Sequence, residues 1–224
     1  MDPLAGTLQA CLWARALSPA EFQRVLAGVV VRGFPAGSIV CGRGEPVNAW
    51  IGVVEGLVKL TTVSLSGKET TLMGVPAGGW FGEGSLLKRE RRKHDVVALR
   101  ESRVAFMRGT TFRWLIEHSL AFNRFLTMQL NERLGQFIGM VEYDRLLAAD
   151  GRVARCLAGL FNPVLYPGNG ARLGISQEEI GLLSGLSRQR VNRALRHLAA
   201  DGLVRHEYGA VTVLELEGLK RFET

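Results

Sequence analysis

The 224-residue sequence predicts an α+β protein. It would comprise an N-terminal antiparallel β-roll (a double-stranded β-helix), a long dimerisation helix and a C-terminal winged helix-turn-helix. Three observations predict this order. Residues 34–108 are dense in glycine, and short β-prone runs alternate there with turn signals. From 111 to 147 helical character returns, with apolar residues at alternating three- and four-residue spacing. Residues 176–198 form two capped helical segments around a glycine turn, and a hairpin pattern follows them. The expected division is 1–110 for an N-terminal helix and sensor roll, 111–148 for the dimerisation helix, and 149–224 for the winged unit.

Residues 3–32 are expected to be helical, with Ser18-Pro19-Ala20-Glu21 as a capping box carrying proline at the first helical position. The β-prone runs are 50–54, 57–63 and 96–99. Glycine breaks every few residues suit a small antiparallel roll and not a βαβ layer. In the long helix Gly135 and Gly139 are too isolated to stop the pattern. Thr127, Leu130, Leu134, Phe137 and Val141 line up as a coiled-coil seam. The flanking Asn131, Glu132, Gln136 and Glu142 are polar, so the other side of the helix is expected to face water.

Ala148-Ala149-Asp150-Gly151 is a candidate hinge. Beyond it come a helix over 152–161, a Pro/Gly/Asn loop over 162–170 and the helix pair. Runs 203–206 and 210–214 flank Tyr208-Gly209, which marks a hairpin.

In the helix pair Ser176 and Glu179 form one capping box, and Ser187 is a second N-cap. On a helix starting at Arg188, Val191, Ala194, Leu195 and Leu198 fall within an arc roughly 100° wide. The remaining positions to 197 are Arg188, Gln189, Arg190, Asn192, Arg193, Arg196 and His197, with four arginines and no acid. Arginine and the carboxamides make bidentate hydrogen bonds to guanine and adenine edges in the major groove. The alternative is a surface helix whose charged face meets water, but such helices commonly mix glutamate among their cations.

The net charge of +7 and pI near 9.8 favour a polyanionic partner. No apolar run approaches the ~20 residues that cross a bilayer, and Met-Asp-Pro-Leu-Ala-Gly-Thr does not resemble a signal peptide. A cytoplasmic location without membrane association is therefore expected. Cys11, Cys41 and Cys156 are widely spaced and odd in number, which argues against a cysteine-held zinc or cluster and for reduced thiols.

Phe34-Pro35-Ala36-Gly37, Gly78-Gly79-Trp80-Phe81-Gly82-Glu83 and Ile175-Ser176-Gln177-Glu178-Glu179-Ile180-Gly181 through Ser187-Arg188, in this order and spacing, resemble the Crp/Fnr family of bacterial transcription regulators. The resemblance spans nearly the whole chain. It implies a homodimer on duplex DNA, with RNA polymerase as a possible further partner. The family's base-contacting positions fall on Arg188, Gln189, Asn192 and Arg193, while Ser187, Arg190 and Arg196 suit phosphates. Gln189 stands where family members typically carry glutamate, so the half-site is expected to differ at that pair from the usual TGTGA or TTGAT.

In cyclic-nucleotide binders of this family, the glutamate corresponding to Glu83 accepts from the ribose, and an Arg-Ser or Arg-Thr pair clamps the phosphate. That pair falls here on Arg92-Lys93, with His94 where a small residue is usual. The two polar dimer-helix residues that contact adenine correspond to Phe137 and Ile138. Gly82, Glu83, Ser85, Arg92, Lys93, Phe137 and Ile138 are thus the candidate effector residues, and cyclic AMP is not the expected effector. No cofactor is fixed by the sequence. The cation run Lys88-Arg89-Glu90-Arg91-Arg92-Lys93 leaves three readings open: a solvated loop, a site for another small anion, or an empty pocket filled by Phe137 and Ile138. Cys11 alone cannot supply the cluster of the oxygen sensors, and His94 and His118 are the only histidines outside the DNA-binding half.

Two rival functions belong to other classes. A cupin-like metal-dependent enzyme would need a histidine-rich set on the roll, where only His94 occurs, and no GxSxG, P-loop or HExxH is present. A ligand-sensing protein-binding module would lack the salt dependence and palindrome preference of a DNA reader.

Overall fold

A computed structural model gives the fold and describes residues 3–64, 66–67, 69–167 and 170–223. Three helices open the chain: α1 (Pro3–Gln9), α2 (Leu12–Arg15) and α3 (Pro19–Gly28). The capping box at α3 forms as expected, with Ser18 and Glu21 bonding reciprocally. The helical zone is shorter than the sequence pattern implied. Val29-Val30-Val31 leaves the helix for β1 (Val29–Phe34), because three β-branched residues in a row favour a pleated partner, here β8 (Ser102–Arg108).

Between them run β2 (Ile39–Cys41), β3 (Ala49–Glu55), β4 (Leu57–Val63), β5 (Glu69–Pro76), β6 (Trp80–Phe81), α4 (Glu83–Lys88) and β7 (Asp95–Ala98). They form two antiparallel sheets, ordered β1-β8-β3-β6 and β2-β7-β4-β5. Ile51, Val53 and Val104 from one sheet meet Val58, Val75 and Val96 from the other, all buried. The sheets therefore close over a branched aliphatic core, the roll that the alternating runs implied.

The outer face of the first sheet carries an aromatic box against the helices. Trp13, Trp50, Trp80, Phe112 and Phe122 pack in tilted and edge-on pairs, Trp50 and Trp80 with ring centroids 4.6 Å apart. A Cβ on Gly52 would lie 2.4 Å from the Trp80 ring. Gly52→Ala is expected to cost on the order of 1–3 kcal/mol through overpacking, measured as a lowered midpoint in chemical denaturation.

Helix α5 (Gly109–His118) and helix α6 (Leu120–Leu146) replace the single helix expected over 111–147. Ser119 breaks it: its backbone is extended and its hydroxyl accepts from the Phe122 amide, so it starts α6 as an N-cap. Along α6 most of the expected seam is open in the single chain, with Thr127, Leu130, Leu134 and Val141 exposed. Phe137, however, turns to the roll core, and Ile138 takes its place on the stripe. The side carrying Gln129 and Arg133 meets the roll and not water, and Phe122 and Leu126 are buried with them.

The hinge is tighter than four residues. Leu147 and Ala148 alone are extended, and Asp150 and Gly151 already belong to α7 (Ala149–Leu160). There follow β9 (Arg172–Gly174), α8 (Gln177–Ser184), α9 (Arg188–Ala200), β10 (Val204–Glu207), β11 (Ala210–Val213) and α10 (Leu216–Arg221). Gly168 and Asn169 of the predicted loop lie outside the described residues. The hairpin β10–β11 forms as expected, and β9 joins it as a third strand that no local pattern announces. This second unit has its own core from Val153, Leu157, Ile180, Val191, Leu195 and Leu198, into which the roll inserts Leu57.

Candidate nucleic-acid interface and roll interior

The helix pair is fixed by local chemistry. The Ser176 amide donates to Glu179 Oε2 at 2.6 Å, and the Glu179 amide donates to Ser176 Oγ at 3.1 Å. Gly185 ends α8 in the left-handed region, φ +67°. A Cβ on Gly181 would lie 2.6 Å from the Leu186 carbonyl oxygen, so the two helices close on a residue that only glycine allows.

Ser187 Oγ then accepts from the Arg190 amide at 3.4 Å and starts α9. Val191, Ala194, Leu195 and Leu198 are fully buried. Arg188, Gln189, Arg190, Arg193 and Arg196 are exposed, as is Ser187. Asn192 is half-buried, and its amide donates to Gln177 Oε1 at 3.1 Å. His197 leaves the cationic face to meet Asp150 Oδ2 at 2.6 Å, tying α9 to α7. The result is a cationic surface with no acid on its own helix, held by an aliphatic back. At the tip of the β10–β11 wing Tyr208 is wholly exposed.

The candidate effector residues do not converge. Glu83 is buried and points inward, where Trp50 Nε1 donates to Oε2 at 3.2 Å and Arg133 Nε lies 3.3 Å from Oε1. Arg133 Nη2 also donates to the Trp80 carbonyl at 2.8 Å, which Gln129 Nε2 shares at 3.3 Å. Gly82 precedes Glu83 in the left-handed region, φ +89°. The Arg92 guanidinium reaches Gly82, with Nη1 3.7 Å from where a Cβ would stand. Lys93 turns outward to Glu90 at 3.1 Å. Ser85 is half-buried in α4, Phe137 packs on the roll core, and Ile138 stands on the exposed stripe of α6. The cation run is braced on a neighbouring loop, with Arg91 Nη1 donating to the Gly44 carbonyl at 2.7 Å.

Three residues of this interior escaped the sequence reading. Arg133 and Gln129 sit one turn apart among Phe122 and Leu126, and two polar residues inside an apolar face were the available signal. Tyr166 enters the roll from the loop after α7, and nothing local announces it. Its hydroxyl donates to the Gly74 carbonyl at 3.2 Å, and Arg133 and Gln136 also engage it. Burial pushes its phenol above the usual tyrosine range, with Arg133 opposing.

A cleft of about 410 Å³ lies beside the roll, between α6, α7 and β5, lined among others by Phe137, Tyr143, Arg152 and Arg155. Burial pushes Cys41 up to about 11 and Cys156 up to about 12, so both stay protonated thiols at neutral pH. Among the described residues no group of three metal-ligating side chains occurs, and no helix is long and apolar enough to cross a membrane.

A ligand-type β-roll joined by a long helix to a winged helix-turn-helix with a cationic reading face defines a DNA-binding transcription regulator. Residues 31–119 match the cyclic nucleotide-binding domain, and residues 151–222 match the Crp-like helix-turn-helix domain. The Cyclic AMP receptor protein of Thermus thermophilus is 31% identical over 199 residues, covering 89% of this chain and 90% of that protein. The Transcriptional regulator SdrP of the same organism is 28% identical over 191 residues, covering 84% and 91%. The crystal structure of the Thermus thermophilus Catabolite Activator Protein superposes with a TM-score of 0.51 at 29% identity, covering 93% of this chain and 96% of that one.

The chain belongs to the Crp/Fnr family. It is a transcription regulator and not an enzyme. The roll's class implies a small effector, and dimerisation is typical of the family.

Proposed function

We propose that this regulator acts as a homodimer on a pseudo-palindromic operator. In this reading residues 1–110 sense, 111–148 dimerise and 149–224 read DNA. The carrying observation is the α9 face itself: Arg188, Gln189 and Arg193 are exposed together while the opposite side is fully buried. Arg188, Gln189, Asn192 and Arg193 read bases, and Ser187, Arg190 and Arg196 hold phosphates. The exposed stripe Leu130, Leu134, Ile138 and Val141 supports a dimer seam. Two recognition helices about 34 Å apart would then enter successive major grooves.

Cyclic AMP is not the effector in this reading. Glu83 is already bonded to Trp50 and paired with Arg133, Lys93 faces outward, and Ile138 is on the outer face of α6. The roles are tested by selecting an operator from random duplexes and measuring variants on it across salt concentrations. Arg193→Ala is expected to cost on the order of 1–3 kcal/mol on the selected operator and to relax discrimination at one base pair. Arg196→Ala should weaken all sequences alike and lower the salt slope by about 1. Equal weakening of every duplex by Arg193→Ala would make that residue a phosphate contact.

A further inference from the structure

The segment Asn162-Pro163-Val164-Leu165-Tyr166-Pro167 belongs by sequence to the DNA-binding half, yet two of its side chains complete the core of the roll. Leu165 and Tyr166 are buried with Val53, Val75, Phe81 and Val104. A Cβ on Gly79 would lie 2.8 Å from the Tyr166 ring, so the Gly78-Gly79 turn before Glu83 is a seat for that ring. The phenol hydroxyl reaches the Gly74 carbonyl on β5 and the same Arg133 that neutralises Glu83.

The loop is also organised to present these two residues. Asn162 Oδ1 accepts from the Val164 and Leu165 amides, both at 2.9 Å, while its amide donates to Glu132 of α6 at 3.2 Å. Proline stands on either side of the Val164–Tyr166 stretch and restricts the backbone further.

We propose that the interior of the roll beside Gly74, Gly79 and Arg133 is a binding site for this chain's own Leu165-Tyr166 loop, which stands in for a diffusible effector. The proposal rests on the DNA-binding function proposed above. Its chemistry is that of a neutral para-substituted phenol: an aromatic body against valine and glycine, and a hydroxyl shared between a carbonyl and a guanidinium. Occupancy adds to the contacts that fasten the reading unit to the roll, whose Leu57 also enters that unit's core. Leu160 and Leu183 meet Gly74, and Arg100 Nη2 lies 2.5 Å from Glu179 at the start of α8. A unit fastened at several points has its orientation set before DNA arrives, so no added ligand is needed to populate the binding-competent state.

The test compares wild-type, Tyr166→Ala and Tyr166→Phe dimers on the operator selected by the wild type, with p-cresol and toluene as probes. The wild type should bind without ligand and respond less than twofold to cyclic AMP. Tyr166→Ala should bind DNA at least tenfold more weakly, and millimolar p-cresol should restore most of the loss. Toluene, which leaves Gly74 and Arg133 without the hydroxyl, should restore less. Tyr166→Phe should fall between the two.

If Tyr166→Ala does not fold, Tyr166→Phe carries the test alone, by a DNA affinity loss at an unchanged melting midpoint. Unchanged or tighter DNA binding by the folded Tyr166 variants would overturn the proposal, as would strong activation of the wild type by cyclic AMP. Should the wild type select no duplex at all, the DNA-reading function itself fails, a separate outcome.

Discussion

Replacing Leu134 and Ile138 together with glutamate will turn the protein into a folded monomer that binds its operator on the order of 100-fold more weakly, or worse. Both side chains are well exposed in the single chain, 58% and 60%, so the fold does not depend on them. In a dimer they would face their own counterparts across a seam, where four carboxylates repel and lose water. Each monomer would retain one reading helix and lose the second half-site, which a linked pair of sites had supplied at high effective concentration. Sedimentation equilibrium and operator titration check the two halves of the prediction. A double variant that still sediments as a dimer would place the interface elsewhere.

The second large effect is on stability. Arg133→Met will cost about 3–5 kcal/mol, because it strands the buried Glu83 carboxylate. The pair is nearly dry: the Arg133 side chain is 11% exposed and that of Glu83 is 3%. Trp50 would remain as a donor to Glu83, and the Trp80 carbonyl would keep Gln129. Making the acid neutral as well, with Glu83→Gln beside Arg133→Met, should recover much of the loss, since no charge is then left buried. Urea denaturation of the two variants measures the difference. If the single variant lost less than about 1 kcal/mol, water would have to reach the carboxylate.

Much of this architecture was legible because it is written locally. The α9 face follows from residue spacing within four turns, and the capping boxes at Ser18 and Ser176 need only residues three apart. The roll was visible from glycine breaks and β-branched runs. Local pattern misled in two places. Val29-Val30-Val31 extends a helical period on paper, but pairing with a strand near residue 105 wins in the fold. The apolar spacing through Ser119 looked continuous, while its hydroxyl was free to cap a new helix.

The roll interior was not legible, because its pairings are distant in the chain. Tyr166 and Gly74 are 92 positions apart, and Trp80 and Arg133 are 53 apart. Gln129 and Arg133 could have been flagged as polar intruders on an apolar face, though not their target. The apolar stripe of α6 was visible, but that the side carrying Gln129 and Arg133 meets the roll at Glu83 and the Trp80 carbonyl depends on pairings far apart in the chain.

The Arg100–Glu179 contact carries a further consequence for how such proteins can be rebuilt. One carboxylate both closes the first turn of α8 and grips an arginine from the loop before β8, while Leu57 of the roll lies in the other unit's core. The reading head is therefore not a free cassette. A chimera that grafts it onto another sensor would have to bring a matching cation in the loop before β8 and a leucine at the start of β4, or accept a loosened helix start as the cost of the exchange.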